Sequence, residues 1–266
     1  MNIAFWSEDR GCGTTSSMAA VASVCSNAWN LKTILMQSRH QDGDLWEKIE
    51  TAPLGMVSED GMSRALDGLD YLLWQAKNKK LTEAAVLDSM IPVVKERMYY
   101  LPQSRYRKPR VYARSLKQGM WQIIRYAQRI SDVVFIDCGS GRNELAEIIL
   151  AKADVVVICL RQERGSLERY FGKRHAFSGK VIYIVDQYQQ ESMYNQAYLR
   201  RVYRIGDDEL GVIPHNSIFR HASDRGRTER FVRRHIRGTS LENQYYFMQE
   251  LMQTTRLILK NAGIEG

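Results

Sequence analysis

The sequence lacks any run of ~18 consecutive apolar residues, so hydropathy offers no membrane-spanning helix. Its first residues also lack the basic start and long apolar segment of a secretory signal, and a cytoplasmic protein is expected. Cysteine is scarce: Cys12, Cys25, Cys138 and Cys159 show no C-x-x-C spacing, and each lies in or beside an apolar run. That placement predicts buried, reduced thiols rather than a disulfide framework or a zinc site. The histidines, His40, His175, His215, His221 and His235, are scattered without metal-ligand spacing. No serine, histidine and acid grouping can be read from the residue order either.

What is present fits one globular domain over residues 1–266. Hydrophobic residues make up 44% and charged residues 26%, ordinary values for a chain long enough to bury one large core. The net charge of +8 is uneven, because arginine concentrates in two stretches, 97–117 and 220–237. A positive face suits phosphate-rich partners such as DNA or an anionic lipid surface.

The first forty residues organise the chain. An apolar run, Asn2 with Ile3, Ala4, Phe5 and Trp6, leads into Ser7-Glu8-Asp9-Arg10-Gly11-Cys12-Gly13-Thr14-Thr15-Ser16-Ser17. Small and apolar residues at helical spacing follow (Met18, Ala19, Val21, Ala22, Val24, Cys25), and Thr33-Ile34-Leu35-Met36 closes the unit. Strand, glycine loop, helix and strand make one βαβ crossover whose helix start presents backbone N–H groups to a phosphate. A standard phosphate loop reads G-x-x-x-x-G-K-[ST], with the lysine on the β/γ-phosphates and the hydroxyl on magnesium. On that frame Gly13 is the last glycine, Thr14 stands where the lysine belongs, and Thr15 takes the magnesium position.

Further along, 116–130 predicts a helix that feeds Asp132-Val133-Val134-Phe135-Ile136-Asp137-Cys138-Gly139. An apolar strand ending in aspartate and glycine is the pattern of a buried parallel strand that delivers a carboxylate to its C-terminal edge. A doubly wound α/β fold with a mostly parallel sheet and helices on both faces is therefore expected. Helices are also expected at 62–75, 82–89 with Thr82 as N-cap, 143–151 and 166–171, and strands at 91–94, 97–102, 153–160, 180–186 and 210–215. The segment 41–63 reads as loop with at most one short helix.

The glycine spacing resembles the deviant loop of the ParA/MinD family, K-G-G-x-G-K-T-[ST]. Asp9 stands at the opening lysine and Arg10 at the first glycine, while Gly11, Gly13 and Thr15 match. The resemblance extends along nearly the whole chain apart from 45–89. It runs through the Asp137 strand, an "A-D" strand at Ala153-Asp154, a strand ending at Asp186, an "I-P" turn at Ile213-Pro214 and an "F…A…G" stretch from Phe219 to Gly226. It implies ATP or ADP with Mg2+, held by Arg10, Gly11, Cys12, Gly13, Thr14, Thr15, Ser16, Asp186 and Pro214, with Thr15 and Asp137 on the metal. Gln37 replaces the family's aspartate at the end of the second strand. Asp186 replaces an asparagine that reads the adenine edge, and so loses a donor to a ring nitrogen.

The magnesium-side residues are thus present and the charge-stabilising ones absent. Removing one preorganised stabilising group costs ~2.7–4 kcal/mol, or 10²–10³ in rate, and two lysines and an aspartate are missing together. Efficient hydrolysis is not expected; Arg10 is the local guanidinium able to substitute. Asp9 raises a further question, since a carboxylate facing an ATP tail is unfavourable unless magnesium or Arg10 intervenes.

The arginine-rich stretches interleave cations with aromatics. Arg105, Arg107 and Arg110 lie among tyrosines, and Arg230, Arg233, Arg234 and Arg237 fall on one face of an expected helix. They are candidates for DNA or another anionic partner, or form a merely solvated basic surface. The C-terminal helix, 241–262, carries Leu241, Tyr245, Met248, Leu251, Met252, Thr255, Ile258, Leu259 and Ala262 on one side. Its few cations and its tyrosines predict a core-covering helix rather than a membrane anchor.

Within the family, degenerate loops mark the TadZ/CpaE branch, which positions pilus or secretion machinery. The resemblance implies a cytoplasmic positioning or scaffold protein that forms a homodimer across nucleotide and recruits a protein partner. A weak ATPase that partitions chromosome or plasmid DNA is the alternative, and a DNA-binding protein without nucleotide is the third.

Overall fold

In a computed structural model the described residues are 1–38, 45–50, 62–103, 109–238 and 242–264. Apolar and β-branched residues build β1 (Asn2–Ser7), β2 (Thr33–Gln37), β5 (Val133–Ser140) and β6 (Val155–Leu160), every one buried over nearly its full length. Shorter strands are β3 (Ile91–Val94) and β4 (Met98–Tyr100), and β7 (Lys180–Tyr188) and β8 (Leu210–Pro214) complete the sheet. The strand order is β3-β4-β2-β5-β1-β6-β7-β8, parallel except for the antiparallel β3–β4 pair at one edge. β1 thus lies between β5 and β6, and the chain winds away from it in both directions. A crevice at the C-terminal ends of these central strands follows from that topology.

Helices cover both faces. On one side lie α1 (Thr14–Ala28), α2 (Leu45–Ile49), α9 (Ser217–Asp224), α10 (Thr228–His235) and α11 (Glu242–Asn261). On the other lie α3 (Met62–Lys77), α4 (Glu83–Asp88), α5 (Pro109–Ile130), α6 (Glu144–Leu150), α7 (Arg164–Phe171) and α8 (Gln196–Tyr203). The two-residue period of the strands divides the core between them: Ile3 and Phe5 pack under α1, while Ala4 and Trp6 pack on the opposite face.

Thr82 caps α4, accepting from the Ala85 N–H at 3.1 Å, and Asn143 caps α6 in the same way. Several elements depart from expectation, among them α8 and α9, where no helix was expected. α5 begins at Pro109 rather than 116, since proline is favoured in a first turn. β7 continues two residues past Asp186, through a register shift against β8. In α11 the buried face runs through Gln244, Phe247, Met248, Leu251, Thr254, Thr255, Ile258 and Leu259, and Tyr245 is 51% exposed. A tyrosine at a helix start can turn its ring outward at little cost, so its place in an apolar stripe was misleading. No described helix is long and apolar enough to cross a membrane. His40 and Leu241 lie outside the described residues.

Candidate functional site

Because β1 ends at Ser7 and α1 opens at Thr14, the glycine loop crosses the C-terminal edge of the sheet. Gly13 occupies the N-cap with φ 69° and ψ 19°, in the left-handed region, and no side chain caps the helix. A Cβ there would stand 1.9 Å from Asp186 Oδ2, so glycine alone fits. The positive end of the α1 dipole faces a cleft of about 480 Å³, lined by loop residues 10–16 with Ser7, Lys48, Gly139 and Ser140.

At this cleft Thr15 Oγ1 donates to Asp137 Oδ2 at 2.7 Å, which joins the two residues expected on the metal. Asp137 is buried, and its Oδ1 accepts from the Gly139 N–H at 2.8 Å. Gln37 Nε2 donates to the same carboxyl at 3.4 Å and its Oε1 accepts from Gln103 Nε2. A neutral amide therefore stands beside Asp137, where a second carboxylate would have raised the negative charge. A hydroxyl and a carboxylate side by side are the hard oxygen donors that Mg2+ takes together with water and phosphate oxygens. These residues fit a magnesium ion bound along with a phosphate. Among the described residues, no three His, Cys, Asp or Glu side chains gather into a separate metal site.

The remaining loop residues divide between backbone and side-chain roles. Thr14 is buried and turns inward, its Oγ1 donating to Ser7 Oγ at 3.0 Å. Cys12 is buried as well; burial, with the nearby Asp9 charge, pushes its thiol up to about 11, so it offers the cleft its backbone and not a nucleophile. Ser16 Oγ donates to the Gly13 carbonyl at 3.1 Å. Arg10 is exposed on the cleft wall.

Asp9 does not face the cleft. Arg169 grips it through Nε at 3.0 Å and Nη2 at 2.8 Å, and Ser166 Oγ donates to it at 2.7 Å. The Arg169 hydrogen bond is the main cause holding its carboxyl below the usual range, with burial opposing. Helix α7 thus absorbs a charge that would otherwise repel phosphate.

Asp186 sits beside the glycine loop. Its carboxyl packs against Gly13, where burial pushes it up to about 7 while the Gln187 N–H, Ser17 and the Arg220 charge pull it back. The buried Ser17 hydroxyl lies near it without a hydrogen bond of ordinary geometry. Neither Asp186 nor Pro214, the last residue of the edge strand β8, lines the cleft.

Neither a protein-family profile nor a curated protein matches the sequence. Solved structures do match its shape. A ParA family ATPase from Chlorobium tepidum superposes with a TM-score of 0.72 at 13% identity, covering 96% of this chain and 98% of that one. The chain has the ParA/MinD fold. A septum site-determining protein MinD from Pyrococcus horikoshii, complexed with Mg-ADP, gives a TM-score of 0.64 at 15% identity over 99% and 98% of the two chains. A McdA–ATP complex from Cyanothece gives 0.65 at 14% over 100% and 97%.

Three cations near the cleft escaped the sequence reading of the site. Lys48 reaches it from α2. Arg161, just past β6, would have its Nη1 3.7 Å from a Cβ on Gly11 and pairs with Glu163. Arg220 on α9 acts on both Asp186 and Asp224. None belongs to a local motif, so only folding reveals them. Of the candidate DNA contacts, Arg230, Arg233 and Arg234 are exposed on α10, and Arg237 is exposed beyond the end of that helix. Arg105 and Arg107 lie outside the described residues, and Arg110 falls in the first turn of α5.

Proposed function

We propose that the chain is a nucleotide-binding positioning or scaffold protein of ParA/MinD type, which takes ATP or ADP with Mg2+ in the loop cleft and hydrolyses it poorly or not at all. The Thr15–Asp137 contact at the uncapped start of α1 carries this reading, because it pairs a metal-ligand set with an anion site. When bound, the magnesium ion neutralises phosphate charge. Thr15 and Asp137 would hold it and the loop N–H groups would orient the phosphates, while the Gly139 N–H fixes the Asp137 carboxylate that would serve the metal. Poor hydrolysis follows from the inward turn of Thr14 and the neutral Gln37, which leave the developing charge without the family's lysines and aspartate. The cargo class, pilus or secretion machinery, rests on the degenerate loop alone.

Calorimetric titration with ATP and ADP, with and without Mg2+, tests the reading on wild type, Thr15→Ala and Asp137→Ala. Magnesium-dependent binding, weakened about tenfold or more in Thr15→Ala, is expected from the loss of one charge-assisted contact. Absence of binding at millimolar nucleotide would remove it. Phosphate release that stays at background with DNA present, and does not respond to Arg10→Ala, would also remove the weak-ATPase alternative.

A further inference from the structure

We propose that Lys48 is the cation that grips the phosphate chain in the loop cleft, standing in from a separate helix for the lysines the loop lacks. The proposal rests on the reading of this cleft as a phosphate site and names the residue that completes it. Helix α2 is short, yet it is pinned from several sides. Leu45, Trp46 and Ile49 are buried, and the Trp46 ring lies 5.2 Å from that of Tyr100. The turn between α9 and α10 closes on its far end so tightly that a Cβ on Gly226 would stand 2.4 Å from the Glu50 carbonyl oxygen. Three buried anchors on five residues leave Lys48 no freedom to swing away with its helix, and the side chain lines the cleft together with the loop.

The electrostatics of that position favour an anion. Only 20% of the Lys48 side chain is exposed, and it shares the cleft with the positive end of α1 and with Arg10. An ammonium group, a guanidinium group and a helix start around one opening together favour the entry of a negative group. Lys48 Nζ contacts Asp224 Oδ1 at 2.8 Å, but Asp224 is 57% exposed. A carboxylate so open to water holds its partner weakly, and a multiply charged phosphate competes with it well. Ammonium suits this task, being a compact point charge with three donors that can follow a phosphate oxygen. Asp224 thus parks the lysine at the cleft mouth and yields it to the ligand.

The test titrates wild type, Lys48→Gln and Asp224→Asn with Mg·ATP and, separately, with inorganic tripolyphosphate. Both ligands are expected to bind wild type, Lys48→Gln to lose at least tenfold for each, and Asp224→Asn to bind as tightly or more tightly. Lys48→Arg recovers part of the loss. If Lys48→Gln binds like wild type, the lysine assignment falls while nucleotide binding stands. If Asp224→Asn loses as much as Lys48→Gln, the ion pair is structural and the assignment falls again. Tripolyphosphate binding that needs Lys48, without ATP binding, would overturn the nucleotide reading and keep the phosphate grip. No binding of either ligand would overturn both.

Discussion

Asp186 is a carboxyl packed against the glycine loop that holds its proton well above the usual carboxylate range. Its carboxyl is pushed up to about 7 against Gly13, whereas an unfolded aspartate titrates near ~3.9. Between those values the native state keeps a proton that the unfolded chain has lost. The contribution of this carboxyl to stability is therefore fully present below about pH 4 and is lost as pH rises towards 7, by at most ~1.4 kcal/mol per unit. Asp186→Asn keeps the shape and removes the titration. Its stability advantage over wild type, measured by urea denaturation, should be larger at pH 8 than at pH 5, and equal advantages would show that the carboxyl is not held neutral. The residues legible beforehand were those tied to a local pattern. Thr15 follows a glycine loop and Asp137 closes an apolar run, and the two meet at 2.7 Å. Asp9 was visible as a charge, but its partner Arg169 stands 160 positions away, so its direction was not.

At the scale of an element, α10 shows how far periodicity reaches. Phe231 and Val232 are buried while Arg230, Arg233 and Arg234 face solvent, as a 3.6-residue period requires. The helix stops at His235, so Arg237 extends the basic surface from outside it. Arg233 Nε also pairs with Glu229 Oε1 at 3.1 Å, one turn back, where the guanidinium is exposed and the carboxylate is buried. If α10 is a DNA face, combining Arg233→Ala with Arg234→Ala should reduce the slope of log K against log salt by about 2, one phosphate for each arginine. An unchanged slope would exclude the helix as the contact surface. Element α2 marks the opposite limit: five residues hold too little periodic signal to announce a helix, and its anchors are known only by what they touch.

For the whole molecule, the sheet order places the glycine loop, Thr15 and Asp137 at one open edge. Ser7, Gln37 and Ser140 all end their strands there, and Ser7 and Ser140 line the loop cleft. A second copy facing that edge would close the cleft over a bound nucleotide. Light scattering coupled to gel filtration should show the mass doubling when Mg·ATP is added. A monomer under all conditions would count against the face-to-face scaffold.

The sequence by itself determined the fold class, the central apolar strands, the glycine turn and the Thr15–Asp137 pair. Each of these depends on periodicity or on residues adjacent in the chain, where the physics is local. Only the tertiary structure decided the charge around the cleft. It sent Asp9 to α7, pressed Asp186 against Gly13, and brought Lys48 across from α2. Electrostatic energies depend on distances between groups far apart in sequence, and those distances exist only once the two cores have packed the helices onto the sheet.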